Sequence, residues 1–586
     1  MSNTKYSAER NHQIVLALLK ANNIRKVIVS PGATNVSLVA GMQQDSFFEL
    51  YSVVDERSAA YFACGLSKES GEAVVLSCTG ATSSRDYMPG LTEAFYSKLP
   101  ILAITSSMTS SHIGHLFAQV TDRSNPPQDC VVESFELQPV KDADDEWDCT
   151  IKMNKAIQFL TTNGGGPVHI NLPTTFSMDF SVESLPPVKR IIRTDVEDEF
   201  PVLEKGKKIA VFLGSHRDFS SKETEAIDLF CSTYDAVVLC DHTSGYKGRY
   251  RILSALLAAQ EWMSKDIFNF DILIHAGDIS ADYYTIGAIN AKEVWRLSED
   301  GEIRDRFQRI TRVFKMKDLT FFSHYADSIT QPLTAQIDNF QDLDLSLRKQ
   351  IPEIPFSNMW VARQIAPCIP ANSGLHLGIL QSIRSWNFYE LLPSIGVYAN
   401  VGGFGIDGTV STLVGASMVN PKKLYFGVVG DLSFFYDMNA IGIRHIGNNL
   451  RLMIINNGKG MEFRTYKHRA SIFGEDTDKF IAASGHNGNQ SPELVKGLAH
   501  SLGFQYLSAH NKEEFLSVKE QFTNPKIENK PIIFEVFTNT EEEVDSLRLL
   551  RQTVVDKSYM AKANAKAGLY NVLKPIVPLA KKILNK

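Results

Sequence analysis

Short runs of β-branched and aliphatic residues alternate with longer amphipathic stretches along this chain, the pattern of strand–helix–strand units that build parallel sheets. The runs fall into three sets. The first holds KVIVS (26–30), EAVVLSC (72–78), LPILAITS (99–106) and GPVHINLP (166–173). The second holds KIAVFLGS (208–215), DAVVLCD (235–241), FDILIHAGD (270–278) and EVWRLSED (293–300). The third holds SGLHLGI (373–379), GVYANVGG (396–403), LYFGVVGD (424–431), LRLMIINN (450–457), FQYLSAHN (504–511) and PIIFEVFTN (531–539). Two polar stretches separate the sets and read as breaks, SLPPVKRIIRTDVEDEFP (184–201) and DNFQDLDLSLRKQIPEIP (338–355). The pattern therefore predicts an α/β protein of three open parallel-sheet domains, 1–185, 202–337 and 356–550, followed by a tail over 551–586. Ligands of such sheets bind outside the carboxyl ends of the strands.

Length and composition fit that division. A chain of 586 residues sets a prior of several domains, and 44% hydrophobic with 22% charged residues is ordinary for a globular protein. A net charge of −6, without a basic stripe interleaved with aromatics, argues against nucleic acid as a partner. The seven cysteines are dispersed with no CxxC pair, as expected of reduced thiols rather than of a disulfide framework or a thiolate metal site. A polar N-terminus and the lack of a long apolar run predict a cytoplasmic protein with no signal peptide and no membrane span.

The chemistry concentrates in the third set. The strand LYFGVVG runs into Asp431, Leu432 and Ser433 and then a helix-like stretch, YDMNAIGIRHIG; the strand LRLMIINNG ends on Asn456 and Asn457. One strand–helix–strand excursion separates Asp431 from Asn457, so both side chains emerge at the same sheet edge. A carboxylate, an amide oxygen and the backbone carbonyl of Lys459 form a hard-oxygen set suited to Mg²⁺, which leaves its other positions to phosphate and water. The turn Gly430–Asp431–Leu432–Ser433 opens a helix whose amides can meet a diphosphate. Turn-forming Asp and Asn at the ends of an ordinary strand pair would give either half of this pattern alone.

With these motifs the chain resembles the thiamine-diphosphate (ThDP) dependent enzymes over about residues 8–550. Their signature is a Gly-Asp followed some two dozen residues later by Asn-Asn. The stretch from VVDERSAAYFACGLSKES to KLPILAITSS is similar to the family's pyrimidine-binding core, and it sets Glu56 where the family has its activating glutamate. The resemblance implies a pyrimidine-binding, a central and a diphosphate-binding domain, with ThDP and Mg²⁺ as cofactors. It also implies an active site shared between two subunits of a homodimer, or of a tetramer. Glu56 would share a proton with the aminopyrimidine ring, Ile406 would bend the cofactor from below, and the carbonyl of Phe404 would accept from its amine. Gly402, Gly403, Gly405 and Gly408 would admit the ring closely. Gln119 matches a glutamine over the cofactor in several relatives, and Met461 and Phe463 would line the cofactor face.

Within the family the chain is most similar to the SEPHCHC synthases of the menaquinone pathway, which add a succinyl-semialdehyde anion from 2-oxoglutarate to isochorismate. SPGATN (30–35), ANVGGFGIDGTVST (399–412), GDLSFFYDMNAIGI (430–443) and the terminal FEVFTNTEEEVDSLRLLR carry the likeness. Two departures fall on substrate positions. Ala33-Thr34 stands where those synthases have Ser-Arg, and Asn400-Val401 where an arginine follows the asparagine. Neither Thr34 nor Val401 can replace a bidentate guanidinium. The reading is a ThDP- and Mg²⁺-dependent decarboxylase or carboligase that forms an acyl-anion equivalent from a 2-oxo acid and transfers it to an acceptor or protonates it, with a donor or an acceptor other than that of the synthases. Authentic SEPHCHC synthesis and a catalytically retired scaffold are the alternatives.

Other groups are candidates for the missing charge. GKGMEFRTYKHR (458–469) matches a segment that caps the site in the family, and it offers Lys459, Arg464, Lys467 and His468 to an anionic substrate. His112 and His115 are proton-transfer candidates, though a lone histidine is more often structural. The central domain is also compatible with FAD. From residue 557 on, the tail has seven lysines and no acid, with apolar residues near helical spacing broken by Pro575 and Pro578. Such a segment suits peripheral contact with an anionic membrane face, docking of a partner, or a free tail.

Overall fold

The computed structural model describes residues 5–327, 331–561 and 565. They form two compact units, Met1–Asp195 with Gly301–Val313, and Val196–Asp300 with Phe314–Lys586. The fold is α/β, with three open sheets of parallel strands, as the hydrophobic pattern predicts.

In the N-terminal unit six strands lie side by side in the order Glu49–Ser52, Lys26–Val29, Val74–Thr79, Ile101–Ser107, Val168–Pro173, Glu133–Glu136. All neighbours are parallel. The inner strands are buried on both faces, which is why they read as unbroken apolar runs. One face packs on the helices Arg10–Ala21 and Ala143–Phe159 through Leu16, Leu19, Met153 and Ala156. The other packs on Glu56–Ser70 and Met88–Tyr96 through Ala60, Ala63, Leu91 and Ala94. Local chemistry bounds the helix Glu56–Ser70: Asp55 caps it by accepting from the Ser58 amide at 2.8 Å, and Gly71 ends it in the left-handed region at φ 69°.

The second unit holds the other two sheets. In one, the parallel strands run Arg251–Leu253, Val237–Cys240, Ile209–Leu213, Asn269–Ala276, Asn290–Ser298. In the other the order is Gly396–Tyr398, Gly374–Leu377, Tyr425–Gly430, Leu450–Asn456, Ile532–Phe537, Gln505–Ala509. Taken in chain order, this last sheet repeats the arrangement of the N-terminal one, second-first-third-fourth-sixth-fifth.

Three sequence readings need correction. The polar stretch 338–355 is mostly helix, Ala335–Gln350, whose spaced Ile337, Phe340 and Leu347 are buried while the charged residues between them mostly face outward. The stretch 184–201 is not a bare linker: it contains the strand Ile192–Thr194, and Ile191 packs with Ile303, Ile310 and Val313. The helix after the third strand of the last sheet is Asp431–Tyr436, and YDMNAIGIRHIG continues only as the 3₁₀ turn Met438–Gly442. Asp437 stops the helix by turning its carboxylate to the Ser411 amide and hydroxyl, at 2.6 and 2.5 Å.

All seven cysteines are free thiols. Among the described residues no helix is long and apolar enough to cross a membrane. Val555 bridges to Trp262. Beyond that point most of the lysine-rich tail, residues 562–564 and 566–586, lies outside the described residues.

Candidate functional site

The edge of the last sheet is built by two adjacent parallel strands in register, Gly430 beside Ile455. Asp431 and Asn457 therefore leave the sheet together. Both are buried, at 4% and 8% exposure. The Asp431 carboxylate accepts from the backbone amides of Leu432, Asn457 and Gly458, and burial, working against those bonds, pushes its pKa up to about 7. Asn456 and Asn457 divide their work. Asn456 Nδ2 donates to Glu535 Oε1 at 2.7 Å, which fastens the strand to its neighbour. Asn457 Oδ1 is buried with no hydrogen-bond partner among the described residues.

A buried carboxylate beside an orphaned amide oxygen fits a cation with a preference for oxygen. Among the described residues no cluster of three or more His, Cys, Asp or Glu could hold a metal, so a cation at this edge depends on one carboxylate with amide and carbonyl oxygens. Gly430 extends the strand into the six-residue helix, Leu432 is half-buried, and Ser433 Oγ donates to the Ile406 carbonyl at 2.6 Å. That bond joins the Asp431 turn to the loop 402–408. In that loop Phe404 has φ 55°, a left-handed backbone for a bulky residue, and its ring lies 6.1 Å from that of Tyr283. A Cβ added at Gly402 or Gly403 would meet nothing within 4 Å, so these positions face open space.

The capping segment is short 3₁₀ turns, Met461–Arg464 and Arg469–Phe473. Met461 is buried at 5% exposure. The cations of this segment are engaged by the protein itself. Lys459 and Arg464 both pair with Asp478, at 2.7 and 2.5 Å, and Lys467 pairs with Glu261 at 3.0 Å. His468 Nδ1 accepts from the Ala470 amide at 3.1 Å and so caps its own turn. Sequence reasoning did not find Asp478 or Glu261, nor the bidentate pair of Arg384 with Glu462 at 2.7 and 3.2 Å. Partners so far apart in the chain leave no local signal.

In the N-terminal unit, Glu56 is the first residue of its helix and half-buried, close enough to Cys78 and Tyr87 for its charge to act on both. Thr34 is buried, with its hydroxyl donating to the Ser106 carbonyl at 2.6 Å and in contact with the Thr79 hydroxyl. Its oxygen is thereby committed to holding the loop 30–35 against the strand ends. The His112 ring lies tilted at 56° against that of Phe117, with ring centres 4.4 Å apart, and contacts Thr109 Oγ1 at 3.3 Å. His115 and Gln119 are exposed, Gln119 at φ 63°. Glu56, Thr34, Gln119 and the two histidines belong to the N-terminal unit; Phe404, Ile406, Asp431, Asn457 and the cap belong to the second.

Comparison with known proteins gives these sites a context. Residues 10–125 match the family model described as thiamine pyrophosphate enzyme, N-terminal TPP binding domain. The chain is 29% identical over 570 residues to the 2-succinyl-5-enolpyruvyl-6-hydroxy-3-cyclohexene-1-carboxylate synthase of Bacteroides fragilis, covering 93% of this chain and 98% of that protein. It is 29% identical over 560 residues to the enzyme of that name from Bacteroides thetaiotaomicron, with the same coverage. A third, from Flavobacterium psychrophilum, is 27% identical over 572 residues, covering 92% and 97%.

Proposed function

This chain belongs to the ThDP-dependent enzyme family, close to its SEPHCHC synthases, and from that premise we propose that it is a ThDP- and Mg²⁺-dependent decarboxylase or carboligase acting on a 2-oxo acid. The observation that carries the reading is the buried Asp431 carboxylate beside the unpartnered Asn457 Oδ1 at the carboxyl edge of parallel strands. Asp431, Asn457 and the carbonyl of Lys459 would hold Mg²⁺, which fixes a diphosphate and does no redox work. When bound, ThDP supplies an electron sink that lets a 2-oxo acid lose carbon dioxide and leaves an acyl-anion equivalent.

The chain's own residues do the rest. Glu56 would hold a proton at the aminopyrimidine ring, the Phe404 carbonyl would accept from the cofactor's amine, and Ile406 would support the cofactor. Gly430, Leu432 and Ser433 line the diphosphate end. Ser433 also keeps the Ile406 loop in place through the bond to its carbonyl. Met461 covers the reacting face and keeps water out. Gln119, His112 and His115 are offered to the acceptor from the N-terminal domain of the neighbouring subunit.

The test is carbon dioxide release across 2-oxo acids with ThDP and Mg²⁺, with and without acceptors. Glu56→Gln should lower the rate by about a hundredfold or more, while ThDP with Mg²⁺ still raises its melting temperature. Undiminished release by Glu56→Gln, or no thermal shift of the natural protein with the cofactors, sinks the mechanism. A second reading, SEPHCHC synthesis itself, is favoured by likeness to proteins of that name over nearly their whole length. Product from 2-oxoglutarate plus isochorismate at a useful rate would establish it. Bound ThDP without turnover on any donor would instead favour a retired scaffold.

A further inference from the structure

The N-terminal unit buries a cation whose hydrogen-bonding capacity is only partly used. Arg123 is 8% exposed. Its Nε donates to Asn171 Oδ1 at 2.9 Å, while its Nη1 is buried and has no partner among the described residues. A guanidinium taken out of water with an idle donor is costly unless an anion or a water completes it. The fold makes room for this group: a Cβ added at Gly80 would stand 2.2 Å from Nη1. Behind it, His169 is bonded to Thr105 and Ser134, both at 2.9 Å, and burial pushes its pKa down to about 3, so it brings no competing charge.

In front of Arg123 is a cavity of about 20 Å³, walled by Ser107, Thr121, Ser124, Glu136 and Asn171. Ser107, Glu136 and Pro173, all lining residues, end the strands Ile101–Ser107, Glu133–Glu136 and Val168–Pro173, so the cavity opens at the carboxyl edge, where sheets of this kind take their ligands. It admits one small polar head and no ring. The same edge carries Thr34, whose hydroxyl is already committed to Ser106 and Thr79. The loop 30–35 contains no lysine or arginine.

We propose that Arg123 is a substrate-binding residue whose guanidinium receives a carboxylate of the small-molecule substrate entering beside Ser107. A planar two-oxygen anion matches the fork. Glu136 in the same cavity disfavours a dianion such as phosphate. The identity of the ligand as a substrate rests on the 2-oxo acid reading above; the anion site rests on the buried guanidinium alone.

Glutarate, a dicarboxylate that cannot react, is the probe. It is titrated calorimetrically into the ThDP- and Mg²⁺-loaded natural protein, R123K and R123Q, and KM and kcat for 2-oxoglutarate are measured alongside. Glutarate should bind the natural protein and bind R123Q about tenfold more weakly or worse, with R123K between them. KM should rise by the same factor while kcat and ThDP affinity stay nearly constant. Equal glutarate affinity in the natural protein and R123Q, or none in the natural protein, overturns the assignment and leaves Nη1 facing a water only. If the natural protein decarboxylates nothing and glutarate affinity still depends on Arg123, the anion site stands and the 2-oxo acid reading falls. Should R123Q fail to fold, Gly80→Ala, whose methyl displaces Nη1, is expected to weaken glutarate likewise; an unchanged affinity there overturns the proposal.

Discussion

An amide oxygen that is buried and accepts nothing destabilises the chain that carries it, by about 1–3 kcal/mol. Asn457 Oδ1 is such an atom. Replacing Asn457 with leucine should therefore raise the melting temperature of the ligand-free protein and abolish the further rise given by ThDP with Mg²⁺. Differential scanning fluorimetry checks both; a lower ligand-free melting temperature, or an intact cofactor shift, contradicts the account. At this scale Asp431 and Asn457 were legible because each ends an apolar strand and the strand spacing brings them together. The fate of the cap cations was not. GKGMEFRTYKHR shows five basic groups, but only the folded chain reveals that Asp478 holds Lys459 and Arg464 and that Glu261 holds Lys467. Arg123 was passed over for a similar reason, since its burial depends on Gly80 and Asn171, far away in sequence.

Between elements, the contact of the helices Asn358–Ile365 and Thr540–Arg551 turns on one carboxyl group. Glu543 Oε1 accepts from the Asn358 amide at 2.9 Å and from the Thr538 hydroxyl at 2.8 Å. Burial pushes its pKa up to about 7. The group keeps its proton in the folded state where the unfolded chain has lost it, so its contribution is complete below about pH 4.5 and falls as pH rises through about 7. Glu543→Gln should flatten the stability loss between about pH 4.5 and 7 in urea melts (the window set by that shift), and a profile as steep as the natural protein's counts against this. Every strand expected from the apolar runs is present, whereas Glu49–Ser52, Glu133–Glu136, Ile192–Thr194, Arg251–Leu253 and Ile310–Lys315 were missed. Glu49–Ser52 and Glu133–Glu136 are partly covered edge strands with polar side chains, Ile192–Thr194 and Arg251–Leu253 are only three residues long, and Ile310–Lys315 mixes polar with apolar residues, so no apolar run announces them. The helix Ala335–Gln350 was hidden because its three buried residues are spaced through a mostly polar stretch.

For the whole molecule, the resemblance places half of each active site on one protomer and half on its neighbour, and that has a genetic consequence. Protomers carrying Glu56→Gln and protomers carrying Asp431→Ala are each expected to be inactive alone. Co-expressed in equal amounts as a closed dimer, they should recover about a quarter of the natural activity, because each mixed dimer keeps one intact site. No recovery despite proven mixed dimers would assign both residues to the same protomer's site. The three-sheet plan was legible from the spacing of apolar runs. The repetition of one strand order in the first and last sheets was not, since strand order depends on which neighbours pair.

Glu261 receives Lys467 from the cap and, at 3.2 Å, Arg551 from the end of the last helix. Both cations come from residues translated well after the acid, and Arg551 comes last. While the chain is being made, the carboxylate waits in the central domain for partners that are still inside the ribosome. The pairing at Glu261 is complete only when almost all of the protein has emerged. An unfinished chain released before Arg551 thus leaves the Glu261 carboxylate with Lys467 as its sole ion-pair partner among the described residues, one cation short of the finished protein.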